Sequence, residues 1–295
     1  MDREQIRRRP ASANQPPMFE RDGKSVLTGI GIGQQLPRYA VLAVRDPQAY
    51  NEDIADTIAR SLTDVQEVSR KCMSTLLRGK FRGTELLVCS TGSGAADAEI
   101  LIMDLMYYAG VDTFVRCGCT GTQQVGVEVG DIVIASGAVR DDGLTKDYIQ
   151  PQYPAVADSE LLLALTEAAQ RQEYSHHVGL LRSNDSIYCG QGRPACGYLQ
   201  HPQDNIVNYW ANAGVLGLDR ETSTVLTLPQ LFGGRGGSVC VVTNSSVTRA
   251  RGAAEDIEKA IHTVLYGISL LSGRDRQKQA RGQEVWTPFC AGEGV

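Results

Sequence analysis

No stretch of this sequence approaches the ~20 consecutive apolar residues that crossing a bilayer requires, and the opening Met1-Asp2-Arg3-Glu4 lacks the apolar segment of a secretory signal. Aromatic residues are scarce at 6%, and histidine occurs only four times. Positive charge is not in surplus. The 29 Lys and Arg against 34 Asp and Glu leave a net charge of −5, which excludes the broad basic field of a nucleic-acid-binding domain. Eight cysteines lie scattered, mostly in apolar runs, with no C-x-x-C pair and no Cys/His spacing suited to zinc. They read as free thiols in a reducing, cytoplasmic setting. The Arg7-Arg8-Arg9 run sits among Pro, Ala, Asn and Gln and reads as a solvated terminus.

What is present is an ordinary globular balance, 42% hydrophobic and 21% charged residues over 295 positions. A single α/β domain of that size buries roughly three quarters of its unfolded surface. Residues 1–35 are rich in Pro, Gly, Gln and Arg and are expected as a flexible tail. Beyond them, near-continuous apolar runs predict strands covered on both faces: Tyr39–Val44, Leu86–Cys89, Thr113–Val115, Asp131–Ala135, Val178–Leu181 and Val239–Val242. Helix-length amphipathic stretches alternate with them at Glu52–Leu62, Asp97–Tyr108, Ser159–Gln170 (capped by Asp158) and Ala254–Leu271. That alternation predicts a mixed α/β sheet wrapped by helices in one domain over 36–273, with a second tail over 274–295.

Ligands of open α/β sheets bind where loops converge at the carboxyl ends of strands. Three such ends carry small residues with a polar group: Arg45-Asp46-Pro47, Ser90-Thr91-Gly92-Ser93-Gly94 and Arg116-Cys117-Gly118-Cys119-Thr120-Gly121. Glycine lets backbone N–H groups approach an anion, and an arginine beside them suits phosphate. Neither the GxxxxGK[ST] nor the GxGxxG fingerprint occurs, so no nucleoside triphosphate or dinucleotide site is supported. Cys119 follows Arg116 on a glycine-rich turn, yet no histidine is placed to serve it as a base. The His176-His177 pair lacks acidic or thiol partners at metal-ligand spacing. Further on, Gly190-Gln191-Gly192-Arg193 sets an amide and a guanidinium two residues apart. A pyrimidine edge offers acceptor, donor, acceptor. A glutamine amide can donate to one carbonyl and accept from N3–H, while an arginine donates to the other carbonyl.

Five segments together carry a resemblance: Cys89-Ser90-Thr91-Gly92-x-Gly94, Phe114-Val115-Arg116-x-Gly118-x-Thr120-Gly121, Val129-Gly130-Asp131-Ile132-Val133, Tyr153-Pro154-Ala155-Val156-Ala157-Asp158 and Tyr188-x-Gly190-Gln191-x-Arg193. In order and spacing they resemble the uridine phosphorylases of the nucleoside phosphorylase-I family, over roughly residues 36–270. The resemblance implies a three-layer α/β/α domain around a twisted, partly barrelled mixed sheet, assembled as a homodimer or a trimer of dimers. It implies reversible phosphorolysis of uridine to uracil and ribose 1-phosphate, with phosphate as co-substrate and neither metal nor cofactor. No nucleic acid or membrane partner is expected. Carried over by position, Arg116 and Cys119 border the phosphate; Gln191, Arg193 and Thr120 meet the base; Glu221 and Arg220 meet the ribose.

Several positions depart from the family pattern. Its Gly-Asp-Pro-x-Arg reads Arg45-Asp46-Pro47-Gln48-Ala49 here, its phosphate-side Thr is Cys119, its ribose-side Met is Arg220, and its Asn-Arg is Asn244-Ser245. The arginine that the family donates across the dimer matches Arg70 or Lys71 only after a shift of one or two residues. Two lost charge-assisted hydrogen bonds cost on the order of a hundredfold to ten-thousandfold in rate or affinity. Arg45 and Arg220 are therefore expected to restore charge to a rewired anion site. Two alternatives follow from the same departures: a nucleosidase that uses water, and a non-catalytic paralogue that binds nucleoside or serves as a structural subunit.

Overall fold

The computed structural model describes residues 19–45, 52–200, 205–252 and 256–287. Strands β1 (Glu20–Arg21) and β2 (Lys24–Ser25) form a small hairpin. The main sheet is built from β3 (Tyr39–Val44), β4 (Thr63–Arg70), β5 (Thr75–Phe81), β6 (Thr84–Thr91), β7 (Thr113–Thr122), β8 (Ile132–Arg140), β9 (Ala155–Val156), β10 (His176–Ser183), β11 (Gly217–Asp219) and β12 (Arg235–Ser245). The helices are α1 (Ile54–Ala59), α2 (Ala95–Ala109), α3 (Leu144–Tyr148), α4 (Ser159–Arg171), α5 (Ile206–Asn212), α6 (Thr222–Leu231) and α7 (Ile257–Arg281).

The strand order β11-β10-β8-β12-β7 closes on itself, because β11 also pairs antiparallel with β7. The result is a five-stranded barrel at one end of the sheet, continued by β3, β6, β5 and β4. Apolar runs make this arrangement possible, since both faces of the sheet are covered. Val41, Ala43, Val115, Cys117, Val239 and Val241 pack under α1, α4 and α7. Their neighbours Ala40, Leu42, Cys89 and Phe114 pack under α2 and α6. Inside the barrel, Val133, Ala135, Leu181, Cys240 and Val242 form a small third cluster. The expected three-layer α/β/α domain around a partly barrelled mixed sheet is what is observed.

Both expected tails are shorter than the sequence suggests. Residues 19–35 pack onto the domain: Ile30 is buried, and Ser25 and Thr28 both donate hydroxyl hydrogen bonds to Asp104 on α2, the latter at 2.7 Å. At the other end α7 continues past 273 to Arg281, with Arg274 buried and donating to the Glu160 carbonyl. The backbone N–H of Trp286 caps this region by donating to Glu160 Oε1 at 2.7 Å. Arg7-Arg8-Arg9, Asp46–Ala49 and Ala254 lie outside the described residues. Among the described residues no helix is long and apolar enough to cross a membrane.

Tyr39 at the start of β3 donates its hydroxyl to Asp275 on α7 at 2.7 Å. Burial first, and that hydrogen bond second, push the phenol up to about 12. An unfolded tyrosine titrates near ~10. The stabilisation is therefore complete below about pH 10 and is lost as pH rises toward 12. Thermal unfolding followed against pH should show this alkaline decline in the native protein and a flatter one in Tyr39→Phe. Equal declines would contradict the linkage.

Candidate active site

Arg116 is the centre of the barrel end. It points from β7 toward the face covered by α2 and α6, the same side as Phe114 two residues before it. There its guanidinium is buried and held by three hydrogen bonds: Nε donates to Glu221 Oε2 at 3.1 Å, Nη2 to the same oxygen at 2.7 Å, and Nη1 to Cys240 Sγ at 2.7 Å. Asp219 Oδ2 stands 3.4 Å from Nη1. Gly118, on the same side of β7, makes the space. A Cβ there would stand 2.8 Å from Arg116 Nη1 and 2.9 Å from Cζ. Small residues after Arg116 therefore let its guanidinium lie across its own strand.

Glu221 closes the turn between β11 and α6 and joins this cation to the loop after β6. Its Oε1 accepts the Gly94 N–H at 2.7 Å, just before α2 begins. Gly94 adopts φ +117°, a conformation that a side-chain-bearing residue rarely takes. Asp219 is equally buried and accepts hydrogen bonds from the hydroxyls of Ser183 and Thr222 and from the Thr222 N–H.

The electrostatics follow from this packing. Burial opposes charge on Arg116, but the carboxylates of Asp219 and Glu221 outweigh it and hold the guanidinium well above its ordinary value. Burial pushes the Asp219 carboxyl up, an effect that Arg116 offsets only in part. Burial likewise raises the Cys240 thiol to about 12, so it meets Arg116 as a neutral sulfur.

The remaining expected site residues fall in three places. Arg220 reaches over the loop after β6, where Nη1 donates to Ser93 Oγ at 3.0 Å and Nη2 approaches the Ser93 carbonyl at 3.4 Å. Thr120 is close to the cluster, but its hydroxyl donates to the Leu218 carbonyl at 2.9 Å, which ties β7 to β11. Gln191 ends a short 3-10 turn, Cys189–Gln191, in the loop that leaves β10 beside Asp219; the Asn184 N–H donates to the Asp219 carbonyl at 3.0 Å. Buried Arg182 holds this loop by donating to the Gly190 carbonyl at 2.7 Å while pairing with Asp141. Gln191 is half-buried, whereas Arg193 is exposed and donates to the Ile187 carbonyl at 3.2 Å.

Arg45 and Cys119 do not join Arg116. Alternation places Arg45 on the Ala43 side of β3, toward α1, and Cys119 packs against the cluster under α1, α4 and α7. Arg45 donates to the Cys72 carbonyl at 2.9 Å and to Thr75 Oγ1 at 2.8 Å, and it pairs with Asp53 at 3.2 Å. A shared anion site of Arg45 and Arg220 is therefore not formed. Arg70 pairs with Asp53, Asp56 and Glu67. His177 bonds Asp131 at 2.8 Å and His176 bonds the Tyr174 carbonyl at 2.8 Å, and the seven described cysteines are free thiols. Sequence reasoning missed Asp219 and Cys240. The signal for the first was the Asp219-x-Glu221 spacing, which puts two carboxylates within one turn of each other. A cavity of about 620 Å³ lies elsewhere, at the amino-terminal ends of β3, β7 and β12 among Arg38, Arg235, Asp275 and Lys278.

A family model described as the phosphorylase superfamily matches residues 40–265. A uridine phosphorylase of Thermococcus kodakarensis is 40% identical over 215 residues, 72% of this chain and 77% of that protein. A guanosine phosphorylase of Halorubrum lacusprofundi is 33% identical, over 73% of this chain and 89% of its own length. A uridine phosphorylase of Haemophilus influenzae is 31% identical, over 74% and 88% respectively.

Removing one partner of a buried ion pair leaves an uncompensated charge, at about 3–5 kcal/mol. Glu221→Ala should lose that much in urea unfolding. Glu85→Ala, at an exposed pair with Lys80 and Arg78, should stay within about 0.5 kcal/mol. Similar small losses in both variants would mean that the Arg116–Glu221 pair carries no such role.

Proposed function

Because the chain belongs to the phosphorylase superfamily, we propose that it catalyses the reversible phosphorolysis of uridine, releasing uracil and ribose 1-phosphate. The observation that carries this reading is the buried Arg116–Glu221 pair beside the loop that bears Gln191, together with the identity shared with uridine phosphorylases over most of the chain. In phosphorolysis a phosphate oxygen bonds the anomeric carbon as the bond to the base nitrogen breaks. Positive charge then develops on the ribose ring and negative charge on the leaving uracil. The protein must hold the phosphate, the ribose hydroxyls and the base edge where those charges appear.

Arg116 lays a fixed positive charge under the anion. Three of its N–H groups are engaged within the protein, which leaves two of the five that a guanidinium carries. Glu221 accepts the Gly94 N–H on Oε1 and two Arg116 N–H groups on Oε2, so Oε1 keeps a lone pair for a ribose hydroxyl. Gln191 reads one carbonyl and N3–H of the uracil, and Arg193 exchanges its bond to the Ile187 carbonyl for the other. Asn244, paired in register with Gly121, places an amide rather than a carboxyl at that end of β12, which suits a pyrimidine. Phosphate is the co-substrate and the chemistry calls for no cofactor. Exposed Phe19, Val26 and Ile32 on the amino-terminal segment suit contact with a second copy of the chain, in a homodimer or trimer of dimers. Free cysteines, both exposed and buried, fit a cytoplasmic enzyme of pyrimidine nucleoside salvage.

Purified protein should release uracil from uridine only when phosphate is present, and should prefer uridine to guanosine. Gln191→Leu leaves the base edge unpaired and should raise the uridine KM about 10- to 100-fold. Equal uracil release in phosphate-free buffer would make water the nucleophile, and a preference for guanosine would contradict the base assignment.

A further inference from the structure

Among the described residues Arg220 has no carboxylate counter-ion, whereas three arginines around it do: Arg116 is paired with Glu221 and Asp219, Arg45 with Asp53, and Arg182 with Asp141. Arg220 is half-buried, yet its guanidinium meets only the hydroxyl and carbonyl of Ser93. Its Nε is buried with no hydrogen-bond partner at all. A desolvated cationic N–H left unpaired is costly. Such an arrangement is stable in use when an anion completes it.

The charges around it say which anion. Arg116 is already met by Glu221 at 2.7 Å and by Asp219 at 3.4 Å before any ligand arrives. The cluster therefore has no positive charge to spare, and a phosphate dianion entering beside it needs a further cation. Arg45 cannot supply one, since it lies on the other face of the sheet and is held by Asp53. Arg220 follows Asp219 and precedes Glu221 directly, and its Nη2 lies 3.0 Å from where a Cβ of Gly94 would be. It therefore brackets the same loop whose Gly94 amide Glu221 holds.

We propose that Arg220 is the phosphate-binding cation of this enzyme, reaching the co-substrate from the segment between β11 and α6, with Ser93 holding its guanidinium in place. This rests on the phosphorolysis reading above and deepens it: of the two arginines expected to rebuild the anion site, Arg220 alone serves the phosphate, and Arg45 is held by Asp53.

Steady-state kinetics with uridine and varied phosphate tests the assignment in the native protein, Arg220→Met and Arg220→Lys. A charge-assisted hydrogen bond corresponds to about 10- to 100-fold. The phosphate KM should rise by about that factor in Arg220→Met and recover in large part in Arg220→Lys, while the uridine KM holds. An unchanged phosphate KM, or both KM values rising together, would overturn it. Calorimetric titration with inorganic phosphate alone reads the same residue without turnover. Binding by the native protein that Arg220→Met abolishes supports the proposal even if uridine is not cleaved, in which case the phosphorolysis reading fails by itself. Native protein that does not bind phosphate, or Arg220→Met that binds it equally well, overturns the role of Arg220.

Discussion

A guanidinium taken out of water must be met by carboxylates and hydrogen bonds or it destabilises the fold by several kcal/mol, and the barrel end of this protein is arranged around meeting Arg116. The side chain starts on β7, receives Glu221 from the start of α6, touches Cys240 on β12 and stands near Asp219 on β11. Through Glu221 it is tied to Gly94 and so to α2. One buried cation thereby fixes the relative positions of five elements. A site that stabilises a short-lived charge gains from this, because its dipoles are already oriented before the reaction begins.

Much of the fold was legible in the sequence. The apolar runs at Tyr39–Val44 and Val239–Val242 can only be strands covered on both faces, and Asp158 caps α4 as its position suggests, accepting from the Leu161 N–H at 2.9 Å. What escaped has a physical reason in each case. Strand β4 is an edge strand with exposed polar side chains, so it carries no apolar run to read. The amino-terminal hairpin is held by two hydroxyls on a buried Asp104, a long-range contact that composition does not announce. Helix α7 outruns the apolar pattern because its last turns are covered by ion pairs, such as Lys278 with Glu160, rather than by aliphatic residues.

The candidate site was legible in its parts and less so in its assembly. Arg116, Glu221 and the Gln191 loop stand out as residue types at strand ends. Which of them meet depends on register. Leu42 of β3 lies opposite Arg116 of β7, so Arg116 shares the face of Leu42 while Arg45 shares that of Ala43. Alternation within one strand can be read from sequence, but the offset between two strands cannot. That offset separates Arg45 from the site and leaves Arg220, which meets only Ser93, without a carboxylate. The departures from the family pattern thus do not all carry the same weight, since one is absorbed by a local ion pair and another creates an open charge.

The account stands on the phosphate and the nucleoside meeting above Arg116. A crystal structure of the protein with uracil and ribose 1-phosphate tests it most directly. It should show the phosphoryl group between Arg116 and Arg220, a ribose hydroxyl on Glu221, and the uracil edge on Gln191. Ligand bound instead in the groove of Arg38, Arg235 and Lys278 at the opposite end of the sheet, with the Arg116 crevice empty, would contradict it.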